Sequence, residues 1–191
     1  MAEERLTEAQ LALISGIAVK AGVEAGVKVA LEQIEKERQR EHSEMVDRRL
    51  RNTKLLLRNF RLFKAHSEHA IYEGPCDETP QEILESLMMP GRDNTLIVES
   101  IKKSVARTAT IVQHMETMMK LYHAFCVTSG SDGELRRWRV VSGLYIEEPR
   151  KTVAELAKAE GVVERMIYKD IDAACETIAA LMFGIDGLKK R

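Results

Sequence analysis

Thr152-Val-Ala-Glu-Leu-Ala-Lys-Ala-Glu-Gly161-Val-Val-Glu-Arg-Met-Ile-Tyr-Lys-Asp-Ile171 is the stretch on which the fold of this chain turns. Thr152, with Glu155 three residues on, reads as a capping box, in which each side chain satisfies the other's orphan backbone amide. Val153, Leu156 and Ala157 then share one side of a short helix, and Gly161 after Glu160 suits the left-handed residue that ends it. Val162 plugs the space beneath the turn. A second helix starts near Val163–Glu164, with Met166 or Ile167, Ile171 and Ala174 inward. Ala157, Gly161, Val162 and Ile167 together fit a helix-turn-helix: a small residue at the helix crossing, glycine at the turn, apolar residues on either side.

Upstream, Glu134 to Ile146 suits a preceding helix closed near Tyr145, with Trp138, Val141 and Leu144 or Tyr145 inward, followed by a turn at Pro149. In a helix-turn-helix the outward N-terminal part of the last helix can enter the major groove of DNA. Its candidates are Glu164, Arg165, Tyr168, Lys169 and Asp172, with Thr152 at the head of the preceding helix. Arg165 suits guanine or a phosphate, and Lys169 a phosphate. The alternative is a helical hairpin that uses the same packing for a protein contact. Two features sit awkwardly with DNA. Val163 occupies a position where a Ser or Thr cap is usual, and Glu164 carries negative charge toward phosphate. Glu147, Glu148, Glu155, Glu160, Asp170 and Asp172 also keep the region nearly neutral.

Moving outward, Val127-Thr-Ser-Gly-Ser-Asp-Gly133 has the composition of a flexible linker. Val98, Ile101, Val105, Thr108, Val112, Met115, Met119, Tyr122 and Cys126 alternate three and four apart over Asn94–Phe125, a stripe able to pack along another helix. Its expected partner is Arg48–Lys64, with a homodimeric coiled coil as the second option. Arg48–Lys64 contains no acid. Arg51, Lys54, Arg58 and Arg61 share one face, opposite Leu56, Phe60 and Phe63. That basic face suits DNA phosphates or an acidic polymerase surface, or is simply solvated. Tyr72–Pro80 reads as a loop, with Thr79 capping a short helix whose first residue is Pro80 and which ends at Met88-Met-Pro-Gly91. Glu35–Glu44 is a mixed-charge run and a candidate boundary. Before it, a helix capped by Thr7 and Gln10 extends to about Arg40. It carries Ala18, Gly22, Gly26 and Ala30 on one stripe, which is either part of an ordinary helix or a close-approach surface for a neighbour or second copy.

Composition bounds these readings. The chain has 191 residues, 29 Lys plus Arg against 30 Asp plus Glu, and only four prolines. It favours residues that lose little freedom in helices, so an all-α fold is expected. Near-neutral charge advertises no polyanion partner globally. Three scattered cysteines, Cys76, Cys126 and Cys175, suit free thiols in a cytoplasmic protein. Leu11–Leu31 is apolar, but Lys20, Glu24 and Lys28 interrupt it, which argues against a membrane span. No nucleotide-binding glycine loop, GxSxG elbow or HExxH pair occurs. His66, His69 and Cys76 lack the fourth ligand of a structural zinc site. A non-catalytic chain with no metal and no cofactor is therefore expected.

Arg51-Asn-Thr-Lys-Leu-Leu-Leu-Arg-Asn-Phe-Arg61, Val98-Glu-Ser-Ile-Lys-Lys-Ser-Val-Ala-Arg-Thr108 and the tail from Ile167 to Leu188 resemble the RinA/ArpU group of late transcription regulators of phages and mobile elements. The resemblance spans about 47–191. The tail is also similar to the fourth conserved region of sigma factors. It implies a transcription activator that binds double-stranded DNA and acts with RNA polymerase. The expectation is thus a helical N-terminal region of long antiparallel helices, 1–128, for oligomerisation or polymerase contact, then a helix-turn-helix domain, 129–191. The alternative is a non-catalytic scaffold that oligomerises through the Ala18–Ala30 stripe and the Val98–Cys126 heptads.

Overall fold

The computed structural model describes residues 7–68, 76–89 and 93–184. The Gln10 side chain, His69, the Tyr72–Pro75 part of the expected loop, Pro90, Gly91 and the tail beyond Gly184 lie outside them. Every regular element among the described residues is helical: α1 (Glu8–Ser67), α2 (Pro80–Leu87), α3 (Asn94–Lys102), α4 (Val105–Ser129), α5 (Asp132–Val141), a π-helical turn (Ser142–Ile146), α6 (Val153–Glu160) and α7 (Glu164–Phe183). The protein is all-α. Among the described residues no helix is long and apolar enough to cross a membrane.

The chain divides into two compact units, Met1–Glu44 and Met45–Arg191. The division falls at the end of the Glu35–Glu44 charge run and inside α1. In the first unit the α1 residues stand in solvent along their length. Ten Leu, Ile and Val side chains from Leu11 to Ile34 are between 52% and 67% exposed. Gly16, Gly22 and Gly26 have no neighbour within 4 Å of where a Cβ would sit. Each glycine costs about 1 kcal/mol of helix stability against alanine, so this helix carries its least favourable residues where it buries least.

The second unit holds one continuous core, from Leu56, Leu57, Phe60 and Phe63 of α1 to Ile178, Met182 and Phe183 of α7. Helix α2 starts as its sequence dictates, with Thr79 N donating to Glu82 Oε2 at 2.7 Å and Glu82 N to Thr79 Oγ1 at 3.3 Å. Its last carbonyls are satisfied from α1, where Asn52 Nδ2 donates to Leu87 O at 3.0 Å and Arg48 to Met88 O at 3.2 Å.

The apolar stripe expected over Asn94–Phe125 is interrupted by a cap. Ser104 is extended and its hydroxyl accepts from Arg107 N, which ends α3 and starts α4. Thr108 bridges the break by donating to the carbonyls of Ile101 and Ser104 at 2.9 and 3.0 Å. Residues from both sides of the break, including Ile101, Thr108, Val112, Met115, Met119, Tyr122 and Cys126, are buried. The stripe is thus used within the chain. Its principal neighbours are α5 and α7, then α3 and α2, and Arg48–Lys64 contributes the Lys64–Glu116 ion pair at 3.4 Å.

The linker expected over Val127–Gly133 holds a tight turn. Helix α4 continues to Ser129, Gly130 takes left-handed φ 64, and α5 starts after Ser131. Its Gly/Ser composition serves a reversal that lays α5 back on α4. The compact boundary therefore lies at Glu44/Met45, and helices α5 to α7 share their core with α4.

Candidate functional site

Three helices, α5, α6 and α7, build the candidate site, and the local chemistry that places each is visible. At the end of α5 the chain widens into the π-helical turn, an arrangement often found at functional sites. Glu147 closes it, its N–H donating to Ser142 O at 2.8 Å and its carboxylate accepting from Ser142 Oγ and Lys151 Nζ at 2.9 and 3.0 Å. Those bonds hold the Glu147 carboxyl below the usual range. Lys151 N donates to Gly143 O at 3.0 Å. A Cβ on Gly143 would lie 3.1 Å from Leu156 Cδ2 and from Lys151 Cδ, so glycine lets the head of α6 come this close. The Glu148–Pro149 peptide between them is cis.

Helix α6 begins with the expected capping box. Thr152 N donates to Glu155 Oε2 at 2.7 Å, and Glu155 N donates to Thr152 Oγ1 at 3.2 Å. Leu156 and Ala157 are buried and Val153 half-buried. Gly161 is left-handed, φ 65 and ψ 31, and Val162 N donates to Ala157 O at 3.0 Å. Val162 is half-buried against the core. The turn thus has the geometry its residues require, and α6 packs on α7.

Helix α7 buries Ile167, Ile171, Ala174, Cys175, Ile178 and Met182. Met166, offered as the alternative inward residue, lies outward at 36% exposure. Burial pushes the Cys175 thiol up to about 12. Asp170 sits on the same inward stripe, 3% exposed. Arg136 Nε of α5 donates to its Oδ2 at 2.7 Å, and Arg137 Nε lies 3.7 Å from its Oδ1. Arg137 also pairs with Glu134. On the neighbouring edge, Arg139 grips Glu160 with two bonds of 2.7 and 2.6 Å, which hold that carboxyl low. Two carboxylates, one on α6 and one on α7, are therefore clamped by arginines of α5. Trp138, half-buried, stacks on His123 of α4 with ring centroids 4.4 Å apart.

Glu164, Arg165, Tyr168 and Lys169 are exposed on the outward N-terminal half of α7. Val163, the residue before the helix, caps it with no side-chain bond. Asp172 is exposed but engaged, accepting from Lys54 Nζ at 2.7 Å. Lys54 and Arg58 of α1 meet Arg150, Tyr145, Tyr168 and Asp172 around one cleft of about 280 Å³. Two of the four α1 cations singled out by periodicity thus stand beside the outward face of α7, while Arg51 is exposed and lines no part of the cleft. Arg61 is committed elsewhere, donating to Leu144 O at 3.1 Å and to Glu147 O, where it caps the π-helical turn. The Thr152 hydroxyl is likewise occupied by its capping box.

Charge in this region is sorted by position. Of the six acids that neutralise it in sequence, five are engaged: Glu147 with Lys151, Glu155 with Thr152, Glu160 with Arg139, Asp170 with Arg136 and Asp172 with Lys54. Arg165 and Lys169 form no ion pair among the described residues. Sequence reasoning missed the Asp170 clamp and the capping work of Arg48, Asn52 and Arg61. Comparison with protein-family models, with curated proteins and with solved structures gives no match for this chain.

Proposed function

We propose that the second unit binds double-stranded DNA through the outward half of α7 and regulates transcription. The observation that carries the reading is the pairing of a helix-turn-helix with its cations turned outward. Arg165 and Lys169 are exposed beside Tyr168, while Glu160, Asp170 and Asp172 are engaged by α5 and by Lys54, and Glu164 stands exposed beside Arg165. An uncapped first turn favours an anion at the start of α7. Lys54, Arg58 and Arg150 around the adjacent cleft extend the positive surface from α7 toward α1, the arrangement suited to holding phosphates beside a reading helix. In this reading Arg165 addresses a base or phosphate, Tyr168 a base or sugar, and Lys169 a phosphate.

Action as an activator with RNA polymerase rests on the resemblance of segments of α1, α3–α4 and α7 to phage late regulators, and of the tail to the fourth conserved region of sigma factors. The exposed cations Arg51 and Arg58 are available for such a partner.

The test is DNA selection from a random pool by the full chain, followed by titration of the selected duplex with Arg165→Ala and Lys169→Ala. Each variant should keep its helical circular dichroism and bind more weakly. Loss of one phosphate contact lowers the salt slope by about one. Failure of the full chain to enrich any sequence, alone or with polymerase, overturns the reading.

A further inference from the structure

Among the described residues, the first unit presents an apolar helix whose side chains stand exposed. Ala12, Gly16, Val19, Val23, Val27, Ala30 and Ile34 follow one another at spacings of four, three, four, four, three and four residues, which keeps them on one face of α1. All are exposed; Val19 and Val23 are 67% and 60% accessible. On any helical face such spacings read the same in both directions about the central residue, so the orientation is decided by which side chains meet. A twofold axis through Val23, perpendicular to the helix, therefore superposes the face on itself with the second helix running the opposite way.

We infer that this face pairs antiparallel with the same face of a second copy of the chain. Under that symmetry Val23 meets its own counterpart, Val19 meets Val27, Gly16 meets Ala30 and Ala12 meets Ile34. The largest residue of the face thus meets one of the smallest, so the pairing sets neither two isoleucines nor two glycines opposite each other. The contact is isologous and closes at two copies.

Charge selects the same orientation. Lys20 and Glu24 lie along one edge of the face. In the antiparallel pair the same edge of both helices lies on the same side. Lys20 of one copy then falls about 3 Å in axial rise from Glu24 of the other, given 1.5 Å per residue. Two Lys–Glu pairs form across the axis. In a parallel, in-register pair this edge faces the partner's opposite edge, which carries Ser15, Gly22 and Gly26 and no charge. Ile34 would then meet Ile34, and Gly16 would meet Gly16. Size and charge both disfavour that arrangement.

The experiment uses the full chain at micromolar to tens-of-micromolar concentration. Sedimentation should give a dimer, and Val23→Asp, which sets two carboxylates on the axis, should give a monomer with the near-ultraviolet signal of Trp138 unchanged. Orientation is read by mixing Val19→Cys with Val27→Cys under mild oxidation. The mixed disulfide should dominate over either self-disulfide. Lys20→Glu should weaken dimerisation about tenfold by turning both edge pairs repulsive, and Lys20→Glu with Glu24→Lys should restore it. A monomer at all concentrations overturns the inference. So does a dimer trapped mainly through self-disulfides, or one insensitive to the charge swaps. Capture of the monomer by phosphatidylcholine vesicles without self-association likewise overturns it, since the face would then belong to a lipid surface.

Discussion

Arg136 Nε of α5 donates to Asp170 Oδ2 of α7 at 2.7 Å, and that carboxylate is 3% exposed. The pair is the polar seam of an otherwise apolar contact, with Arg136 a quarter exposed and its charge favoured by the bond. Asp170→Asn keeps the shape and removes the counter-charge for Arg136 and Arg137. Breaking one side of a buried pair costs about 3–5 kcal/mol. The partly wet guanidinium places this case toward the lower end, at about 3 kcal/mol. Urea unfolding followed through Trp138 should show that loss, whereas Asp172→Asn, at an exposed pair, should shift it by less than about 1 kcal/mol.

Gly161 should tolerate side chains in the order Asn, Ala, Val. Its φ of 65 is left-handed, and a Cβ there meets no atom within 4 Å. The penalty is therefore one of backbone conformation, about 1–2 kcal/mol for a non-glycine residue, least for asparagine and greatest for a β-branched one. Thermal melts of the three variants should rank in that order. Equal melting of Val and Asn variants would contradict the left-handed turn.

A fragment beginning at Ser129 should fail to fold alone, and residues 45–191 should fold. Helix α4 supplies Met115, Met119, Tyr122 and Cys126 to the core that α5 and α7 share. Cutting at Ser129 exposes that surface, at about 25 cal/mol for each Å² of apolar area. Far-ultraviolet circular dichroism and cooperative melting separate the two fragments.

Acid should destabilise the second unit through His114. Burial of its ring lowers the imidazole pKa below the ordinary 6.5, opposed in part by a hydrogen bond to the Met182 carbonyl. Between the folded and unfolded values the unfolded chain binds the extra proton. Stability is therefore full above about pH 6.5 and falls as pH drops through the lower, folded value. His114→Gln should flatten the stability profile between pH 7 and 5 relative to the wild type. A wild-type slope unchanged in the variant would assign the acid sensitivity to another group.

The caps of α6 and its turn into α7 were legible because their signals are local. Thr152 and Glu155 lie three residues apart, and Gly161 needs only its own φ. The separation of α3 from α4 was masked because the apolar stripe continues across Ser104, so periodicity alone registers no break. Asp170 was readable but overlooked. It lies three residues after Ile167 and four before Ala174, on the inward stripe, where an acid implies a buried cation. The carbonyl-capping roles of Arg48, Asn52 and Arg61 join residues 35 to 86 positions apart. No sequence window contains both partners. The boundary expected at 128/129 followed glycine and serine content, which marks a tight reversal as readily as a tether.

Lys54 holds the Asp172 carboxylate at 2.7 Å on the rim of the cleft beside Tyr168. Asp172 is thus a tethered counterion, occupying the ammonium that an arriving polyanion would seek. A phosphate that displaces it sheds its condensed cation, but the freed carboxylate stays tethered to α7 beside the polyanion and draws a cation back. Salt titration would then undercount the cations engaged on this surface, and Asp172→Asn should steepen the salt dependence as well as strengthen binding. The same carboxylate sets a threshold: a lone anion gains little by replacing it, whereas a chain of evenly spaced phosphates, held at several points at once, does.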